Sequence, residues 1–233
     1  MKKTLLFDVD GTIAYTNKGI TSSVLQEIKR LSSSYNIGFV SGKPIQYLYG
    51  LVREAGLTNI FLIGENGGSM VYPSTLPPET HFVEQHEYEF LFKNLKDKLK
   101  DKYGDRIFLQ PTDTSLSFFV SKDISFSKFA EEFKGEFDLF GPKLKIYEHK
   151  KDRAIDAVPM CIDKKTGIKK TLDYLGFHES TIYAFGNGEN DIPMLEMAKK
   201  VFIVGDMEYT KQEHQKLTRV NKIEELTAIL SSL

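Results

Sequence analysis

Two carboxylates one residue apart, Asp8 and Asp10, follow directly on the apolar run Thr4-Leu5-Leu6-Phe7. A run of that length and character predicts a buried parallel strand. Open α/β sheets hold their ligands at the carboxyl ends of such strands. Gly11 and Thr12 come next; the glycine lets the chain turn sharply and present backbone N–H groups to an anion. Two carboxylates so close repel each other unless a cation lies between them. Mg²⁺ suits the position, because it takes a few hard oxygen ligands and completes its shell with phosphate oxygens. A carboxylate left free on one edge can then act as a nucleophile. An isolated Asp-x-Asp fits a solvated turn equally well, so the remainder of the chain decides between the two.

Asp8-Val9-Asp10-Gly11-Thr12 after an N-terminal apolar strand resembles the first motif of the haloacid dehalogenase superfamily of aspartyl-phosphate phosphotransferases. Three further stretches match that superfamily's motifs in order. Ile37-Gly38-Phe39-Val40 reads as a second buried strand, ending in Ser41-Gly42-Lys43, where a hydroxyl beside a glycine N–H can hold phosphoryl oxygens. Lys43 stands where many relatives carry arginine. Asp163-Lys164-Lys165-Thr166-Gly167 precedes Ile168, Leu172 and Leu175, spaced as the apolar face of a helix. Counted from Pro159, Lys164 rather than Lys165 falls on the superfamily's lysine. The strand-like Thr181-Ile182-Tyr183-Ala184-Phe185 leads into Gly186-Asn187-Gly188-Glu189-Asn190-Asp191. Relatives usually read Gly-Asp-Gly-x-Asn-Asp there, so Asn187 brings a carboxamide oxygen in place of a carboxylate. The phosphomannomutase branch of the superfamily also carries asparagine at this place.

The resemblance implies a division of labour. Asp8 would be the nucleophile and Asp10 the acid and base. Gly11, Thr12, Ser41, Gly42 and Lys164 would hold the substrate phosphate. Asp8, Asp10, Asn187 and Asp191 would bind Mg²⁺, supported by Asn190, with Glu189 left as a solvated loop residue. The fold implied is α/β, a Rossmann-like parallel-sheet core with an inserted α+β cap of the C2 type.

The order of elements agrees. Val24, Leu25, Ile28 and Leu31 form the apolar face of one helix, with an N-cap offered by residues 20–23. A second helix follows Pro44 and stops at Gly56, and Ile60-Phe61-Leu62-Ile63 is a third buried strand. Strand and helix alternating in this way predict parallel pairing with right-handed crossovers. From Gly64-Glu65-Asn66-Gly67-Gly68 the pattern changes. Strands over 69–72, 115–120 and 143–158 and helices over 87–102 and 125–133 mark an insertion. The reading therefore assigns 1–66 and 158–233 to the core and 67–157 to the cap, with a strand over 201–204 and a closing helix over 223–230. Within the cap, Asp113, Thr114, His149, Lys150 and Arg153 are candidates for substrate contact, and 148–153 reads as a solvated hairpin tip.

Composition sets outer limits. The chain has 233 residues, 41% of them hydrophobic and 27% charged, with 31 basic and 32 acidic side chains and a net charge of −1. Such a balance supplies no field to attract nucleic acid or an anionic membrane. The single cysteine, Cys161, excludes an internal disulfide framework and reads as a buried structural thiol in a reducing, cytoplasmic setting. The partner expected is a small phosphorylated metabolite, of the sugar phosphate or phosphoglycolate type; oligomeric state is open. Two other functions fit the same motifs. A phosphohexose mutase is favoured by Gly186-Asn187 and by Asp156-Ala157-Val158-Pro159, but the strand over 114–119 lacks the arginine a second phosphate would call for. A non-catalytic binding protein is favoured by Asn187 alone.

Overall fold

The computed structural model describes residues 2–83, 89–138, 143–178, 181–210 and 212–233. The chain runs through β1 (Thr4–Phe7), α1 (Ser22–Leu31), β2 (Asn36–Val40), α2 (Ile45–Ala55), β3 (Phe61–Gly64), β4 (Ser69–Tyr72) and β5 (Thr80–Val83). It continues with α3 (Glu89–Tyr103), β6 (Ile107–Leu109), β7 (Leu116–Val120), α4 (Phe126–Asp138), β8 (Leu144–His149) and β9 (Ala154–Pro159). The last part comprises α5 (Lys164–Leu175), β10 (Ile182–Gly186), α6 (Ile192–Glu196), β11 (Lys200–Val204), β12 (Lys216–Val220) and α7 (Leu226–Ser231).

Two compact units result, residues 1–82 with 163–233, and residues 83–162. The first is built on an eight-stranded sheet in the order β12-β11-β10-β1-β2-β3-β4-β5. β1 lies between β10 and β2 and pairs in parallel with both. Successive crossovers leave β1 in opposite directions, which opens a crevice at its carboxyl end. All four residues of β1 are buried, as a strand covered on both faces requires. On one face Phe7 stacks on Phe185 at 4.5 Å and Phe185 on Phe202 at 4.4 Å, tying β1, β10 and β11 together through their side chains. That face also receives α1, α2 and α7, while Ile168 and Leu172 of α5 cover the other. Each such fully buried side chain contributes about 1.5–3 kcal/mol.

The second unit is a four-stranded antiparallel sheet, β6-β7-β9-β8. Leu116, Phe118 and Val120 of β7 and Ile155 and Ala157 of β9 alternate onto one face, where Phe92, Leu95, Phe129 and Phe133 of α3 and α4 cover them. Ser117 and Asp156, on the opposite side of the same strands, are buried as well.

Several details differ from the sequence reading. Residues 69–72 belong to the large sheet, because β4 pairs antiparallel with β3. The division by compactness thus falls at 82/83 and 162/163 rather than at 66/67 and 157/158. β5, β6 and β12 carry too little alternation to be read as strands; β12, Lys216-Leu217-Thr218-Arg219-Val220, is an edge strand with one fully buried residue, Val220. Part of the helix expected from Glu87 lies outside the described residues. Cys161 is exposed, not buried, since it follows the last strand of the second unit as the chain leaves its core.

Candidate active site

Asp8 follows the last residue of β1, and its N–H donates to the Phe185 carbonyl of β10 at 2.9 Å. The turn that follows is closed by its own backbone. The Gly11 N–H donates to the Ala14 carbonyl at 2.7 Å, and the Thr12 and Ile13 N–H groups donate to the Val9 carbonyl at 3.2 and 3.0 Å. The N–H groups of Gly11 and Thr12, expected to face a phosphate, therefore serve the turn. Gly11 is needed for a different reason: its φ is +85°, and a Cβ there would stand 2.2 Å from the Asn187 carboxamide. The Thr12 hydroxyl donates to Asp8 Oδ2 at 3.1 Å and lies 3.1 Å from the Asn187 carboxamide.

Lys164 is the first residue of α5, whose start is set by a capping box. The Asp163 side chain accepts the Thr166 N–H, and the Thr166 hydroxyl accepts the Asp163 N–H. Lys164 is fully buried, whereas Lys165 is partly exposed. Its ammonium donates to Asp8 Oδ1 at 2.7 Å, Asp191 Oδ1 at 2.5 Å and the Val40 carbonyl at 2.9 Å. These three bonds use all its donors. The second Asp191 oxygen accepts the N–H groups of Asn187 and Gly188 at 2.8 and 2.9 Å, holding the loop after β10 in place. Asp191 thus faces Lys164 and its own loop; Glu189 points to solvent, as expected.

The electrostatics follow from the count. Asp8 and Asp191 share one ammonium inside a buried site. Burial, with the Asp191 charge next, pushes the Asp8 carboxyl up from 3.8 to about 7 despite the neighbouring lysine. For Lys164, burial opposes the charged form, but Asp191 and Asp8 outweigh it and hold its pKa above the ordinary lysine value. The site in the absence of a cation carries more negative charge than Lys164 can offset.

That excess, and the oxygen geometry, fit a divalent cation. The inward atom of the Asn187 carboxamide lies 3.1 Å from the Asp10 carbonyl oxygen and 3.2 Å from Asp8 Oδ2. As nitrogen it donates to both and to Thr12. Turned over, it presents an oxygen, and three oxygens from Asp8, Asp10 and Asn187 then converge. Among the described residues no group of three acidic, histidine or cysteine side chains is arranged to hold a metal. The oxygen set here is one carboxylate, one backbone carbonyl and one carboxamide, a low-charge set suited to an ion that keeps water or phosphate oxygens in its shell.

Ser41 is buried at the end of β2; its hydroxyl accepts the Lys43 N–H at 3.2 Å, and Gly42 beside it is partly exposed. Asn190 donates from Nδ2 to Asn66 Oδ1 at 3.0 Å. Sequence reasoning gave no site role to Asn66 or Tyr47. Tyr47 lies near enough to Asp10 that burial, with the Asp10 charge second, pushes its phenol up to about 12. Its place three residues after Pro44 on α2 carried no catalytic pattern.

In the second unit Arg153 is not a free cation at a hairpin tip. It donates to the backbone carbonyls of Val120, Ser121 and Ile124 and lies over the Phe126 ring. His149 pairs with Asp156 at 3.0 Å, and Asp156 also accepts the Ser117 hydroxyl at 2.6 Å.

Comparison with known proteins agrees with this architecture. The sequence signature of the haloacid dehalogenase-like hydrolases matches residues 5–96 and 69–225. A phosphoglycolate phosphatase of Methanoculleus marisnigri is 27% identical over 200 residues, covering 85% of this chain and 82% of its own. A mannosyl-3-phosphoglycerate phosphatase of Pyrococcus furiosus is 27% identical over 214 residues, covering 82% of this chain and 86% of its own. A haloacid dehalogenase-like hydrolase from Bacteroides thetaiotaomicron shares the fold with a TM-score of 0.80 at 15% identity, covering 100% of this chain and 99% of that one. With a signature that spans nearly the whole chain and a buried Asp8–Lys164–Asp191 cluster at the carboxyl ends of its parallel strands, the chain belongs to the haloacid dehalogenase-like hydrolases.

Proposed function

We propose that this hydrolase is a Mg²⁺-dependent phosphatase of small phosphorylated metabolites, working through an aspartyl phosphate on Asp8. The observation that carries the reading is the contact of the buried Lys164 ammonium with Asp8, which marks that carboxylate as the group around which charge is managed. Asp8, the Asp10 carbonyl and Asn187 would hold Mg²⁺, with Asp191 acting behind them through Lys164 and the loop. The bound cation would supply positive charge that keeps Asp8 ionised and offsets its repulsion from the phosphate.

An Asp8 oxygen attacks phosphorus in line, the bond from phosphorus to the ester oxygen breaks, and Asp10 gives that oxygen a proton. Asp10, now a carboxylate, takes a proton from the water that attacks the aspartyl phosphate, releasing inorganic phosphate and restoring Asp8. Lys164 and Ser41 stabilise the charge on the transferring group.

Residues 83–162 are assigned the role of a cap that selects the substrate. The relatives named as acting on phosphoglycolate and mannosyl-3-phosphoglycerate support small phosphorylated carboxylates or sugars as the class. No helix among the described residues is long and apolar enough to cross a membrane, and a cytoplasmic setting is proposed with it.

The test is phosphate release from phosphoglycolate, hexose phosphates and phosphoglycerate-containing sugars, with Mg²⁺ and with chelator, beside Asp8→Asn. Release that needs Mg²⁺ and disappears in the variant is the expected result. Release that survives in Asp8→Asn removes the nucleophile; isomerisation of a hexose 1-phosphate without release would replace the phosphatase by a mutase.

A further inference from the structure

Among the described residues of the first unit, the turn after β3 is the one stretch in which three successive residues take left-handed φ values: Glu65 at +53°, Asn66 at +55° and Gly67 at +109°. Two of the three are not glycine, and all are buried, so the surrounding structure enforces the conformation. The turn touches three of the other site segments, those after β2, at the start of α5 and after β10. The Asn66 N–H donates to the Ser41 carbonyl at 3.0 Å and the Glu65 N–H to the Lys43 carbonyl at 2.9 Å. Gly67 packs against the start of α5 so closely that a Cβ would stand 2.2 Å from the Asp163 carbonyl oxygen, one residue before Lys164. Gly167 completes that contact; a Cβ on it would stand 2.5 Å from the Gly67 Cα. The Asn66 side chain accepts from Asn190, the neighbour of Asp191.

Asparagine tolerates left-handed φ better than most residues, and that alone could account for its presence. Its hydrogen bonding points further. Oδ1 is engaged by Asn190, while the buried Nδ2 has no partner, an unfavourable state for an amide. A side chain kept for one bond at that cost implies that the bond matters. We propose that Asn66 is a positioning residue: through Asn190 it fixes the loop that carries Asp191, and so the Lys164 ammonium that Asp191 and Asp8 share. The inference rests on the phosphoryl-transfer reading of the site.

Asn66→Gly separates the two explanations, because glycine adopts the same φ freely and removes only the carboxamide. It is compared with wild type, Asn190→Ala and the double variant. Three quantities are read: unfolding temperature without cation, the midpoint of its rise on adding Mg²⁺ alone, and kcat and KM on an ester the wild type hydrolyses. The expected result is an unfolding temperature close to wild type, an unchanged KM and a kcat lower by about 10–100-fold. The Mg²⁺ midpoint moves to higher concentration, and the double variant falls no further than Asn190→Ala. Wild-type kcat and Mg²⁺ midpoint in Asn66→Gly, or losses that multiply in the double variant, would overturn the proposal. Should Asn66→Gly not fold, Asn66→Asp decides, since it keeps the acceptor: wild-type kcat supports the link and a kcat as low as that of Asn190→Ala refutes it. Hydrolysis by the wild type, lost in Asp8→Asn, checks the underlying reading separately. If the wild type hydrolyses no phosphate ester, that reading fails while the Mg²⁺ midpoints still test the link.

Discussion

Lys164 Nζ lies 2.7 Å from Asp8 Oδ1, although 156 positions separate the two residues in the chain. The same nitrogen lies 2.5 Å from Asp191 Oδ1, so one buried ammonium joins the ends of β1 and β10 to the start of α5. Removing it leaves two buried carboxylates facing each other. Lys164→Met is expected to destabilise the protein by about 3–5 kcal/mol at neutral pH, the usual effect of removing one partner of a buried pair. Urea unfolding at pH 7 measures it. An unchanged midpoint would mean that Asp8 is already protonated there.

The pH dependence without cation has a definite sign. The Asp8 carboxyl has an ordinary pKa of 3.8 and a folded value of about 7, so the folded state binds the proton more tightly. Stability from this group is present in full below about pH 4 and is lost as the pH rises through about 7. Asp8→Asn cannot lose it. In chelator the variant should be the more stable of the two above pH 7, by at most ~4 kcal/mol, with the difference gone near pH 4. Equal stability across that range would show that Lys164 already satisfies Asp8.

Asn187→Asp adds a carboxylate where the carboxamide now meets the Asp10 carbonyl and Asp8 Oδ2. Without cation the new charge faces the Asp10 carbonyl and the Asp8 carboxylate, and the unfolding temperature should fall. Mg²⁺ should bind more tightly, so the activation midpoint moves to lower concentration, about tenfold. Titrating phosphate release with Mg²⁺ checks the second effect and a chelated melting curve the first.

Asp10→Asn should leave the fold unchanged, because the Asp10 carbonyl at the oxygen cluster is backbone. Its kcat should drop by about 10²–10⁴-fold, the typical value of a positioned acid or base. Activity with a good leaving group such as p-nitrophenol should suffer less than with an alkyl ester. An equal loss for both would remove the acid role from Asp10.

Much of this was legible locally. β1 and β2 are short apolar runs followed directly by Asp8 and Ser41, β3 and β10 are ones that end in Gly64 and Gly186, and a strand buried on both faces announces itself by composition alone. The α5 start was legible too, since Asp163 and Thr166 stand at capping-box spacing before an apolar stripe. Local sequence therefore determined the core elements, their order and which side chains end each strand. It did not determine which atoms meet. That Gly11 is pinned against the Asn187 carboxamide, that Arg153 is consumed by three carbonyls, and that Cys161 is exposed depend on chain segments brought together only on folding. The same holds for β4, which joins the large sheet because β3 offers it an unpaired edge. The bond from Lys164 to Asp8 and the link from Asn66 to Asn190 are contacts across 156 and 124 residues. Strand composition cannot encode such distances; the parallel sheet decides them, because it sets the carboxyl ends of β1, β2, β3 and β10 side by side.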